Sequence, residues 1–307
     1  MYLYLPVALT SINILIPVGL GLAVGLLSGL FGVGGGFLLT PLLIMFGIPS
    51  TVAAATDSNQ IVAASTSGTY AHWKVGNVDF KMGLYLLVGG FLGGIVGVQA
   101  IKLLHAMGNA DFVIKITYIL MLGIVGVYMF IESLQSMKKK TDSVEQENDE
   151  KESVVGRFLK SLPLQTRFEK SGITHSVFVP IVLGMFVGVL AAIMGVGGGF
   201  LMVPIMVYML RMPMHVVVGT SLFQILFTCI EVTFLQAYTN HSVDFILAVL
   251  LLLGSTVGAQ IGAVFGRKLK AEQLKILLAG IVLAVTVKIV FEITLTPALL
   301  LSQVGGH

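Results

Sequence analysis

The sequence predicts an all-α polytopic membrane protein made of two inverted-topology repeats, each a glycine-broken helical hairpin followed by three spanning helices. Three observations predict it. Of 307 residues, 56% are hydrophobic and 11% charged, against about 25% charged in soluble domains. The stretches 1–56, 82–101, 116–131 and 171–210 hold no Asp, Glu, Lys or Arg. One motif occurs twice, FGVGGGFLLTP at 31–41 and MGVGGGFLMVP at 194–204, with eight of eleven positions identical at an offset of 163.

The echo extends beyond the motif. Pro49 pairs with Pro213, Thr56 with Thr220 and Gln60 with Gln224 at an offset of 164. Val78-Asp79-Phe80 pairs with Val243-Asp244-Phe245, and Gly93-x-x-x-Gly97 with Gly258-x-x-x-Gly262, at an offset of 165. Matching interruptions in matching hydrophobic segments point to a transport site.

The elements follow in order. The segments 50–71, 82–103, 115–134, 214–236, 245–266 and 275–296 each hold the roughly 20 apolar residues that cross a bilayer. Regions 14–47 and 176–210 carry the glycine break in their middle. Each glycine costs a helix about 1 kcal/mol relative to Ala, so three in a row interrupt it. The pieces after the breaks, 37–46 and 200–210, are too short to cross a core about 30 Å thick at about 1.5 Å per residue. The first repeat is placed at 1–135, a hydrophilic linker at 136–175 and the second repeat at 176–307. The opening MYLYLP lacks a basic n-region and reads as part of the first repeat, not as a cleavable signal peptide.

Loop charge sets the expected topology. With the lysine-bearing linker inside, the loop around Lys74 and Lys81 falls inside, and so does the loop with Arg267, Lys268 and Lys270. Equivalent loops then face opposite sides. The same parity makes each broken region a hairpin that enters and returns on one side; full spans would also satisfy it.

Composition excludes several functions. Six scattered His and one Cys give no metal-ligand spacing or disulfide framework. One Trp and no basic-aromatic patch argue against nucleic acid. The glycine runs lack the Lys-Ser/Thr of a nucleotide loop, and no cofactor is implied. An enzyme would need clustered His, Cys or paired acids within the membrane, and none is evident.

Two constellations could carry chemistry. Gly34, Gly35 and Gly36, with Gly197, Gly198 and Gly199, let an anion approach backbone N–H groups at the starts of the short helices; close helix packing is the competing role, and the expected one for Gly93/Gly97 and Gly258/Gly262. Next come Thr56, Asn59 and Gln60, matched by Thr220, Ser221 and Gln224. In both repeats Thr and Gln stand four apart, on one helix face, where hydroxyl and amide donors can bind an oxyanion or bind helices together. Asp57 is the sharpest single residue. Ionisable groups at membrane depth are costly and mark functional sites. It has no acidic counterpart, since Ser221 stands opposite, which suits proton or cation coupling; pairing with Lys115 or Lys288 is the alternative. Trp73 reads as an interfacial anchor.

These motifs, with ATDSNQ and GTSL after each proline and AHWKVGNVDFK at 71–81, resemble the TauE/SafE family of sulfite and organosulfonate exporters. The likeness covers nearly the whole chain outside 138–175. It implies a multi-pass transporter of small sulfur-containing anions in the bacterial inner membrane. The family's ATSL-like pattern stands here as Ala55-Thr56-Asp57-Ser58. The expectation is alternating-access export of sulfite or an organosulfonate. Proton-coupled uptake of an organic anion and a membrane-anchored structural subunit are the alternatives.

Overall fold

A computed structural model describes residues 2–31, 36–138, 164–266 and 280–291. Gly34, Gly35, the basic loop at 267–270 and linker residues 139–163 lie outside the described residues, as do the ends of the last expected helix.

The chain is mostly helical. A hairpin of β1 (Tyr2–Leu5) and β2 (Thr10–Asn13) leads into α1 (Leu15–Phe31), α2 (Gly36–Met45), α3 (Ser50–Lys74), α4 (Phe80–Ala106) and α5 (Ala110–Lys138). A second hairpin, β3 (Gln165–Phe168) and β4 (Ile173–Ser176), leads into α6 (Phe178–Met194) and α7 (Gly199–Pro204), which loosens into a π-helical turn at Ile205–Met209. Then come α8 (Met214–Leu235), extended by a π turn at Gln236–Asn240, α9 (Phe245–Gly266) and α10 (Gly280–Phe291). Among the described residues, three helices are long and apolar enough to cross a membrane: α4, the first part of α5, and α8 with its π extension. The 25-residue α3 is long enough as well, at about 37 Å, but its interior reads TDSNQ where a lipid-facing helix would read apolar. Thr56, Asp57, Ser58 and Gln60 are buried instead, with Asn59 half-buried.

Hydropathy does not reveal the hairpins. Each is four residues per strand, antiparallel, with Tyr2 opposite Asn13 and Gln165 opposite Ser176. The second lies, but for Ser176, inside the stretch read from charge as linker, because a short strand pair needs no apolar run. Leu5 and Phe168, at corresponding positions, are both fully buried.

Corresponding elements make corresponding contacts, and make them crosswise. The most extensive helix contacts are α1 with α9 and α4 with α6, each joining one repeat to the other; α3 packs on its own counterpart α8. Glycine permits the crosswise pairs. A Cβ at Gly89 or Gly93 would collide with the carbonyl of Ile181 or Met185 on α6, and one at Gly254 or Gly258 with that of Val18 or Leu22 on α1. The packing role expected of the Gly-x-x-x-Gly positions is thus visible at Gly93, Gly97 and Gly258.

A reciprocal pair of hydrogen bonds ties one repeat to the other. The Asp79 N–H donates to Thr220 Oγ1 at 3.0 Å, and the Asp244 N–H donates to Thr56 Oγ1 at 3.1 Å. Each aspartate also caps its helix: Asp79 Oδ1 accepts from Met82 N and Asp244 Oδ1 from Leu247 N. The free carboxyl oxygens reach back to the hairpins, Asp79 to Ser171 and Asp244 to the Val7 N–H. Thr56→Val or Thr220→Val keeps the shape and strips the acceptor from a buried N–H, a loss of about 1–3 kcal/mol. Each is expected to lower the thermal unfolding midpoint of the purified protein, and an unchanged midpoint would remove these bonds from the account of stability.

Candidate functional site

The two glycine motifs meet. Phe37 and Phe200, which follow each Gly-Gly-Gly, stack with centroids 4.7 Å apart and planes 14° from parallel. Around them the glycines close on α3 and α8. A Cβ at Gly36 would strike the Ile61 side chain and lie 3.3 Å from Asp57 Oδ2. One at Gly197 would lie 2.6 Å from Cys229 Sγ and press on Ile225 and Ile61. Ile61, Ile225 and Cys229 form one buried cluster. Gly197 and Gly198 both hold positive φ, 68° and 76°, which side chains with a Cβ rarely adopt. That geometry turns the chain from α6 into α7.

The glycines are therefore occupied by packing more fully than their sequence suggests. The Val187 side chain fills the space beside Gly198. Gly199 is buried at the start of α7, and α7 is only six residues long. It offers less helix dipole than the longer piece read from sequence. The recess beside this turn is lined by Leu190, Ala191, Met194, Val196, Gly198, Phe200 and Leu201, all apolar.

Polar groups gather instead on α3 and α8. Gln60 is 2% exposed and Gln224 0%, and each leaves its Oε1 without a hydrogen-bond partner among the described residues. Buried side-chain polar atoms are bonded in the large majority of cases, so two orphans at equivalent positions are informative. Each glutamine directly precedes the isoleucine of the central cluster. Gln224 Nε2 donates to Thr228 Oγ1 at 3.0 Å. The amide can also be turned, with Thr228 donating to the oxygen and the NH2 presented to a ligand. Gly90 of α4 gives these two side chains room, for its Cβ would lie 2.8 Å from Thr228 Oγ1 and 3.0 Å from Gln224 Nε2. Farther along α8, Glu231 Oε2 is likewise unpartnered and faces Gly94.

The other expected residues are placed as follows. Thr56 and Thr220 spend their oxygen lone pairs on the aspartate N–H groups and keep their O–H protons to give. Ser221 Oγ donates to the Val218 carbonyl at 3.1 Å. Asn59 is half-buried on α3. Asp57 is fully buried; its Oδ2 accepts from Thr40 Oγ1 of α2 at 2.8 Å and its Oδ1 has no partner among the described residues. Thr40, rather than Lys115 or Lys288, is what holds it. Ser58 Oγ donates to the Gly195 carbonyl at 3.2 Å, joining α3 to the second glycine turn. No group of three or more His, Cys, Asp or Glu suited to a metal occurs among the described residues.

Sequence reasoning passed over Thr40, Tyr118 and Thr228, and gave Asp79 and Asp244 no role. The aspartates carried a signal, since an Asp just before an apolar helix is a favoured N-cap. Thr40, Tyr118 and Thr228 sit in apolar runs that announce nothing.

With this geometry in view, comparison with known proteins is decisive about kinship. The model of the family "Sulfite exporter TauE/SafE" matches residues 18–289. The chain belongs to the TauE/SafE family. It is 27% identical over 274 residues to the probable membrane transporter protein YjnA of Bacillus subtilis, covering 88% of this chain and 97% of that one. It is 25% identical over 289 residues to YunE of the same organism, named likewise, covering 91% and 98%. A shorter match, 31% over 103 residues, joins 33% of this chain to 23% of the sulfite exporter TauE/SafE family protein 1 of Arabidopsis thaliana. No solved structure matches it. The protein is thus a multi-pass membrane transporter, not an enzyme.

Proposed function

We propose that the protein carries a small sulfur-containing anion, sulfite or an organosulfonate, across the bacterial inner membrane by alternating access, with export as the working direction. The observation that carries this reading is the pair of buried, equivalent glutamines where both glycine motifs meet α3 and α8: each leaves one half of its amide unbonded, and the amide, turned about its last torsion, presents its NH2 to an anion. An anion there would take amide donors from Gln60 and Gln224, with Asn59 alongside; Thr56 toward one end of the antiparallel α3–α8 pair and Thr220 and Ser221 toward the other hold the repeats together around it. Gly36, Gly197, Gly198 and Gly199 let the short helices close on it and part again. The family's printed name supplies the sulfur chemistry.

In this reading the repeats are inverted. The crosswise contacts and reciprocal Thr–Asp bonds support a two-fold relation in the membrane plane, and the lysine distribution supports a cytoplasmic linker with both termini outside. Cysteines replacing Ser143 and Ser302 are expected to react with an impermeant thiol reagent from opposite sides of the membrane; reaction from one side would reject the inversion.

Export of a monoanion gains about 2.3 kcal/mol per 100 mV of inside-negative potential and needs no co-ion. The buried Asp57, with one oxygen unpartnered, favours a second reading in which a proton travels with the anion. Counterflow of labelled sulfite and a taurine-like sulfonate in proteoliposomes, with and without imposed voltage or pH gradients, tests both. Exchange of at least one anion above empty vesicles is expected. Exchange of neither contradicts the proposal. Dependence on voltage alone selects export, and dependence on the pH gradient selects the proton.

A further inference from the structure

The polar surroundings of Asp57 extend past Thr40. Tyr118 of α5 is fully buried, and its hydroxyl donates to the carbonyl of Met194, the last residue of α6. That carbonyl is one of the four left without an intrahelical partner at a helix end, and it stands immediately before Gly195 of the second glycine turn. Tyr118 also lies beside Thr40, whose own hydroxyl is on Asp57 Oδ2. Four elements thus converge on a carboxyl group that only the first repeat possesses: α2 through Thr40, α3 through Asp57, α5 through Tyr118, and α6 through Met194.

A phenol hydroxyl has one proton to give and rotates to suit its surroundings. The Met194 carbonyl takes it in the structure, and the Asp57 carboxyl, one hydroxyl away through Thr40, is the acceptor that competes for it. An ionised Asp57 is the stronger, because hydrogen bonds to charged groups are the strong ones. A neutral Asp57 leaves the hydroxyl to Met194, which is the arrangement observed. An ionised carboxylate at this depth, with a single side-chain donor, the Thr40 hydroxyl, among the described residues, is costly. The other titratable groups that face it are Tyr118 itself from α5 and Cys229 from α8. At the start of α9, Asp244 adjoins Thr56, its own carboxylate held by the N–H groups of Val7 and Leu247.

We propose that Asp57 Oδ1 is the atom that takes the coupled proton, and that Tyr118 is the positioning residue that reports its loading to the second glycine turn by exchanging the Met194 carbonyl for the carboxylate. Proton loss from Asp57 draws the Tyr118 hydroxyl away from Met194 and frees the end of α6 beside Gly195. Proton gain returns it. Thr40 fixes the carboxyl so that only Oδ1 is open to the proton. The inference rests on the transport reading and deepens its proton-coupled form, yet it can be tested with no substrate present.

The test is infrared difference spectroscopy of the full-length protein in lipid, titrated from mildly acidic to mildly alkaline pH. A protonated-carboxyl C=O band is expected that shifts on labelling with 13C-aspartate, so its assignment to aspartate needs no variant. Asp57→Asn, which preserves size, is expected to remove it. Tyr118→Phe and Thr40→Val each remove a donor to the ionised form, so in each the band is expected to persist to higher pH, by about one unit. A merely structural role for Tyr118 would leave the titration in place. Absence of an Asp57-dependent band at every pH overturns the proton site, and a band displaced by sodium at fixed pH reassigns it to a metal cation. An unmoved titration in Tyr118→Phe overturns the positioning role. None of these outcomes depends on which anion is carried.

Discussion

Replacing Gln60 and Gln224 together by leucine is expected to abolish anion counterflow while leaving the protein at least as stable as before. Each glutamine in this account gives an anion one charge-assisted hydrogen bond, worth about 1.5–3 kcal/mol. Each single change, Gln60→Leu or Gln224→Leu, should therefore raise the half-saturating anion concentration about ten- to a hundred-fold. The stability side has the opposite sign. Both amide oxygens are buried without partners, and an apolar side chain of similar volume removes that unmet demand. Counterflow and thermal unfolding of the same preparations separate the roles. A drop in both would make the glutamines interhelical ties, and a drop in neither would place the anion elsewhere.

Gly93→Leu is expected to do the reverse: to cost the fold itself. The backbones of α4 and α6 approach so closely that a Cβ at Gly93 would meet the Met185 carbonyl and the Val189 amide. Backbone cannot step aside as a side chain can, so the helices must part along one of the two largest contacts in the molecule. Overpacking costs about 1–3 kcal/mol where side chains can adjust, and more is expected here. The detergent-purified variant should be lost to aggregation or unfold at a clearly lower temperature. Gly19→Ala is the control. It lies in α1 with nothing within 4 Å of the added Cβ, and the gain in helix propensity, about 1 kcal/mol, should leave stability unchanged or raised. Equal behaviour of the two variants would contradict the close-packed reading of α4 and α6.

The sequence carries much of this. Long apolar runs and a duplicated glycine motif are strong periodic signals, and they placed α3, α4, α5, α8 and α9 in order, with α9 at its observed bounds. The burial of Thr56, Asp57, Ser58 and Gln60 within α3 was also foreseeable, since a membrane helix with such an interior must turn it inward. The crosswise pairing of α1 with α9 and α4 with α6 was not. A Gly-x-x-x-Gly marks a close contact but not its partner. The hairpins escaped because four-residue strands leave no hydropathy trace. The glycine turns misled in part: a missing Cβ admits a ligand or a neighbouring side chain equally well, and at Gly36, Gly197 and Gly198 the structure shows side chains. Tyr118 had no signal, because its meaning comes only from Met194 and Asp57, which are distant in sequence.

The central claim is that the face between α3 and α8 is a binding site reached in turn from each side of the membrane. Thiol labelling of Asn59→Cys in a Cys229→Ser background tests it most directly, because Asn59 is half-buried beside Gln60 and Cys229 is the only native cysteine. Impermeant reagent is applied to right-side-out and inside-out vesicles, with and without a non-reactive sulfonate. The account predicts labelling from both sides, slowed by the sulfonate in both orientations. Labelling from one side only, at a rate the sulfonate does not change, would contradict it.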